Sequence, residues 1–174
     1  MSKQPPNYDV DFSWQRRFVP EMKRIIGEHL IGESPVAEDQ ERNTDLLVLR
    51  LEAVRIACRV RRNHHHSIGD RKNEFTIRTG RPSGAKTELA KIVEGWGDYI
   101  LYAFGSADGN SLFAWVLGDL SVFRLWFMGW LAKHEGTMPG TGQFNRDGSS
   151  TFRAFSISDL PSEFIIARKH GGDR

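Results

Sequence analysis

Apolar residues at Trp14, Phe18, Met22, Ile25, Ile26 and Leu30 recur at helical spacing. Pro20 either kinks this helix or sits in the first turn of one starting near Val19, and Gly32 is the expected stop. A run of polar and acidic residues, 33–45, follows as a connector. Asp45 to Leu51 then reads as a nearly continuous apolar strand. Val54 to Arg62 alternates strictly, with Ile56, Cys58 and Val60 on one face and Arg55, Ala57, Arg59 and Arg61 on the other. The short link at Glu52 and Ala53 predicts a hairpin between these two strands, without an Asn-Gly signal to mark it.

A polar loop from Asn63 to Asn73 leads to a third strand, Glu74 to Thr79. A Gly/Pro/Ser segment, Gly80 to Ala85, precedes a helix whose Leu89, Ile92, Val93 and Trp96 share one face, with Gly95 and Gly97 ending it. Tyr99 to Phe104 reads as a strand, Asp108-Gly109 as a turn, and Leu112 to Leu117 as another strand. Asp119 is placed to cap a helix running to about Lys133. Residues 135–150 are rich in Gly, Thr, Asn and Ser, and a loop of that length is usually functional or mobile. Thr151 to Ile157 and Glu163 to Arg168 read as strands around a turn at Asp159-Leu160-Pro161. This order predicts a single α/β domain with a central mixed sheet flanked by helices.

The 174 residues suit one domain with an ordinary core. A net charge of +2 excludes a histone-like protein, and a single cysteine, Cys58, excludes an internal disulfide framework and a cysteine-based zinc site. Leu112 to Ala132 is apolar enough to suggest a membrane span. Asp119 and Arg124 near its middle, at about 2.5–3.5 kcal/mol each, argue for a buried strand and helix instead. The opening residues carry no apolar run, so a cytoplasmic location is expected.

Charge is unevenly placed. Arg50 to Arg81 holds nine basic residues against three acidic ones, and eight of the nine are arginine. Arginine's planar fork suits phosphate, and a basic strand face is a common footprint for nucleic acid. Arg55, Arg59, Arg61, Arg62, Arg78, Arg81 and Lys86 are therefore the candidate nucleic-acid-binding residues, with Lys91 a further extension. The competing reading is a solvated face whose arginines pair with Glu38, Asp39 and Glu41.

The segment TDLLVLRLEAVRIACRVRR, Thr44 to Arg62, with the helix before it and the helix and strand after it, resembles the PD-(D/E)XK nuclease superfamily, in particular its VRR-type branch. The likeness covers residues 14–104 in layout. A second similarity, carried by FTIRTGRPSGAKTELAKIVEGWGDYI, is to uncharacterised phage or prophage proteins, which implies the cytoplasm of a bacterial host. The nuclease resemblance implies a restriction-endonuclease-like fold: a loose segment at 1–10, a nuclease-like core at 11–134, and a loop and strand extension at 135–174. It also implies DNA as partner, no membrane, and a Mg²⁺-dependent phosphodiesterase, a hydrolase in which acidic side chains hold the ion. Asp45 would then be the anchoring metal ligand and Glu41 a second one, with Glu21 or Glu28 as alternatives. Glu88 and Arg59 complete the catalytic set beside Asp45. The family's Glu-x-Lys pair is replaced here, by Arg59 and Arg61, Ala57 and Arg59, or Thr76 and Arg78, according to register. A non-catalytic DNA-binding protein on a decayed nuclease frame, and a phage accessory protein that binds a host protein, are the alternatives. A homodimer is left open.

Smaller signals weigh less. Three successive histidines, His64, His65 and His66, rarely converge on one ion. Cys58 reads as a small buried hydrophobe, and Trp14, Trp96, Trp115, Trp126 and Trp130 read as core. Arg81 to Lys86 reads as a capped helix start sooner than a phosphate cradle, and Pro139 to Gly142 is a weaker cradle still.

Overall fold

The structure, a computed structural model, describes residues 13–33, 46–48, 54–62, 73–145 and 147–170. Its elements begin with α1 (Val19–Leu30), β1 (Ile31–Glu33), β2 (Leu46–Val48), β3 (Ile56–Arg61), β4 (Glu74–Gly80) and α2 (Glu88–Val93). They continue with β5 (Tyr99–Gly105), β6 (Leu112–Asp119), α3 (Leu120–Lys133), β7 (Thr141–Phe144), β8 (Thr151–Ser156) and β9 (Ile165–Lys169). Two short 3-10 turns, Ile157–Asp159 and Ser162–Phe164, separate β8 from β9.

Pro20 lies in the first turn of α1, where its missing N–H costs nothing, and it does not kink the helix. Gly32 is not the stop. The backbone is already extended at Ile31, and the chain runs straight into β1.

Among the described residues the expected hairpin is not formed. β2 pairs antiparallel with β1, Ile31 facing Val48. β3 pairs in parallel with β5, from Ile56 opposite Tyr99 to Arg61 opposite Phe104. Glu52-Ala53 offers no residue suited to the left-handed backbone of a tight two-residue turn. β5 is instead reached from β3 through a long connection containing β4 and α2, as parallel strands require.

Nor do the strands lie in one central sheet. The chain is an α/β protein with a mixed four-stranded sheet in the order β3-β5-β6-β9, a second antiparallel sheet in the order β4-β8-β7, and few helices. β4 has its partner about eighty residues away in β8, Phe75 facing Phe155. Proximity along the chain therefore gave no hint of that pairing. The Gly- and Thr-rich stretch after α3 contributes β7, which forms a hairpin with β8.

Core residues lie on both faces of the four-stranded sheet. Leu101, Ala103, Leu117 and Val60 pack with Phe18, Met22 and Ile25 on the α1 side. Ile100, Tyr102 and Val116 pack on the other side with Phe75 and Ile77 of β4, Phe123 and Phe127 of α3, and Phe155 and Phe164. A central strand covered on both faces must be apolar throughout, which explains YILYAF in β5. Gly118 is required by one close approach, since a Cβ there would lie 2.3 Å from the Phe164 ring. Asp119 caps α3 as predicted, its carboxylate accepting from the backbone N–H of Ser121 at 2.7 Å and of Val122 at 3.3 Å. Among the described residues no helix is long and apolar enough to cross a membrane.

Candidate nucleic-acid interface

Strict alternation along β3 gives it two unlike faces. Ile56 and Cys58 pack toward α1, while Ala57 joins the opposite core. The Arg59 and Arg61 side chains leave on the Ala57 side, toward β4. Arg59 Nη1 donates to the Thr76 carbonyl at 3.0 Å and to Glu88 Oε2 at 3.1 Å. Arg61 Nη1 donates to Thr76 Oγ1 at 3.2 Å, and the Thr76 and Tyr102 hydroxyls are 2.9 Å apart. β4 is thereby tied across the face of the four-stranded sheet by side chains of β3 and β5.

Beside this junction lies a cleft of about 480 Å³ between β3, β4 and α2. Arg55, Arg59, Arg78, Arg81, Lys86 and Lys91 line it, with Glu88 as its one acid. Glu88 Oε2 also accepts from the Arg78 backbone N–H at 3.1 Å. Lys86 pairs with Glu94 at 2.5 Å. Among the described residues, Arg78, Arg81 and Lys91 have no carboxylate partner. The guanidinium groups of Arg59 and Arg78 both lie 5.4 Å from the Phe152 ring, so one aromatic face draws two like charges together. Burial holds the Arg78 guanidinium below its ordinary pKa, and the neighbouring charges of Arg81 and Arg59 lower it further, against the opposing pull of Glu88. The Arg78 Nε is buried with no hydrogen-bond partner, although a buried donor is normally satisfied.

The candidate binding residues divide. Arg55, Arg59, Arg78, Arg81 and Lys86 converge on the cleft. Arg61 turns to Thr76 and Tyr102 beside it. Arg62 lies over the Trp14 ring, 5.2 Å from its centroid. Asp45 and Glu41 lie outside the described residues, as do Glu38, Asp39 and the three histidines. Glu21 and Glu28 are engaged elsewhere: Glu21 Oε2 accepts from the Leu112 N–H at 2.7 Å, and Glu28 pairs with Arg24 at 2.5 Å.

Trp96 is a correction. It is 60% exposed and not core. α2 ends at Val93, and Gly95 and Gly97 take φ of 94° and 83°, so the indole leaves the helical face that Leu89 and Ile92 share. The Gly-Trp-Gly sequence was the signal for that exposure. Arg55 lies over the ring at 5.7 Å.

Mg²⁺ does not fit the described donor set. No group of three His, Cys, Asp or Glu side chains comes together among the described residues. The cleft's one carboxylate, Glu88, is held by a guanidinium and a backbone N–H. The cleft's lining is strongly cationic, six basic side chains against one carboxylate. Compared with known protein families, curated proteins and solved structures, the chain matches none of them.

Proposed function

We propose that the protein binds nucleic acid through its phosphates and does not cut it. The carrying observation is a single cleft where six cations face one carboxylate, with Arg78, Arg81 and Lys91 outside its ion pairs. A phosphate group supplies the missing negative charge and accepts from the exposed ends of the guanidinium forks. Arg59, held in place by Glu88, and Arg81 present further guanidinium forks to the same anion. The non-cutting branch is favoured because Glu88 is engaged by Arg59 and would have to release it to hold a cation. Part of the nuclease layout supports a decayed frame of that kind, namely the parallel strands β3 and β5 joined through α2.

The test is fluorescence anisotropy with labelled single-stranded and duplex DNA at low salt, comparing wild type with a double variant, Arg78→Ala with Arg81→Ala. Charged hydrogen bonds contribute about 1.5–3 kcal/mol each, so the double variant is expected to bind more than about tenfold more weakly. Equal affinity of the two proteins refutes the assignment. Absence of binding to either polymer refutes it too, and turns attention to a protein partner.

A further inference from the structure

The cleft's shape narrows the ligand class. Resting on the phosphate-binding reading, we infer that it takes a single strand, one nucleotide at a time, with the base stacked on Trp96 and the phosphate against Arg59, Arg78 and Arg81. The cationic side chains line a concave space of about 480 Å³. That volume falls in the ordinary small-ligand range of about 300–1,000 Å³, the size class of a nucleotide. Duplex readers present an element that projects into a groove or follows the outer backbone, and these cations sit instead in a recess between β3, β4 and α2.

An exposed indole at the cleft wall is the second, independent observation. Its place on the wall of a cationic recess suits it to a nucleotide, since every base has a face that stacks on an aromatic ring. Trp96 is also held in place. Its backbone N–H donates to the Lys91 carbonyl at 3.0 Å, and Gly95 N–H donates to the Ile92 carbonyl at 3.0 Å. From α3, Arg124 Nη1 donates to the Gly97 carbonyl at 2.9 Å, bracing the turn from behind. The backbone that carries the indole is therefore fixed before any ligand arrives, which reduces the ordering cost of binding. The Arg55 guanidinium lies over the ring, a cation that can cover one face of a stacked base or of the indole.

The experiment compares short oligothymidine with a hairpin duplex of similar charge, for wild type, Trp96→Ala and Trp96→Phe. Wild type is expected to prefer the single strand by about tenfold or more. One base stack, converted to affinity, gives a loss of about 5- to 150-fold for Trp96→Ala, and Trp96→Phe should recover most of it. The salt dependence should be the same in all three proteins, because stacking releases no counterions. Tighter duplex binding, or an unchanged affinity in Trp96→Ala, overturns this inference while leaving the phosphate site standing. No binding to either polymer removes both.

Discussion

Phe75 is where the two sheets are joined, and its removal tests that claim. The ring is fully buried on β4, with centroids of Phe164 at 5.4 Å, Phe155 at 5.5 Å, Phe123 at 5.7 Å and Tyr102 at 6.3 Å. These four rings belong to the 3-10 turn before β9, to β8, to α3 and to β5. Phe→Ala in a core costs about 3–5 kcal/mol, and neighbours anchored in four different elements cannot collapse together into the vacated space. Phe75→Ala should therefore reach the upper end, about 5 kcal/mol. In a chain of this length that lowers Tm by about 10–20 °C. Urea unfolding followed by circular dichroism measures the loss directly, and Phe75→Leu, which keeps much of the volume, should lose far less. Phe144→Ala is the control, because Phe144 is 79% exposed and its removal should move stability by no more than about 0.5 kcal/mol. A Phe75→Ala loss below about 2 kcal/mol would refute the packing of the sheets through this ring.

Other outcomes follow from the same geometry. Arg55, Arg78, Arg81 and Lys91 are the cleft cations outside its ion pairs, so log K against log[salt] for a single strand should fall with a slope near about −3, and Arg81→Ala should reduce it by about 0.7; a slope near zero contradicts the electrostatic account. Burial raises the Cys58 thiol pKa, so the folded state holds the proton more tightly than the unfolded chain. The thiol's contribution to stability is then complete below its ordinary pKa and is lost as pH rises through the raised value. Wild type should lose stability relative to Cys58→Val in alkaline urea titrations, and parallel curves for the two proteins would count against it. Gly118→Ala places a Cβ within 2.3 Å of a fully buried Phe164 ring, so overpacking should cost about 1–3 kcal/mol, seen as a lower urea midpoint; an unchanged midpoint would mean that the ring yields freely.

Local signals in the sequence were reliable where one strand or helix decides its own pattern. The alternation of β3, the apolar run of β5 and the Asp119 cap all reflect short-range physics, and each is present in the fold. Pairing was not legible in the same way. β2 pairs with β1 instead of with the nearer β3, and β4 pairs with a strand from the far end of the chain. Hydrophobic period says which residues are buried and nothing about which strand lies alongside. β7 was hidden because TGQF carries only one large apolar residue and takes its strand character from backbone bonds to β8. For the site, arginine density picked out side chains that the fold brings together, since Arg55, Arg59, Arg78, Arg81 and Lys86 line one cleft. Arg62 lies apart from them, over the Trp14 ring. Trp96 was assigned by helical spacing that the glycines on either side interrupt.

All the cleft's basic residues come from a stretch of the chain between Arg55 and Lys91, short enough to tempt excision as a peptide. The ring cluster forbids that. Phe123, Phe155 and Phe164, which shield Phe75, all lie beyond β5 in the sequence. A fragment ending after β5 would keep every guanidinium and expose the apolar floor beneath them to water. The basic cleft is therefore not portable: grafting it onto another scaffold requires transplanting the aromatic cluster of the C-terminal half as well.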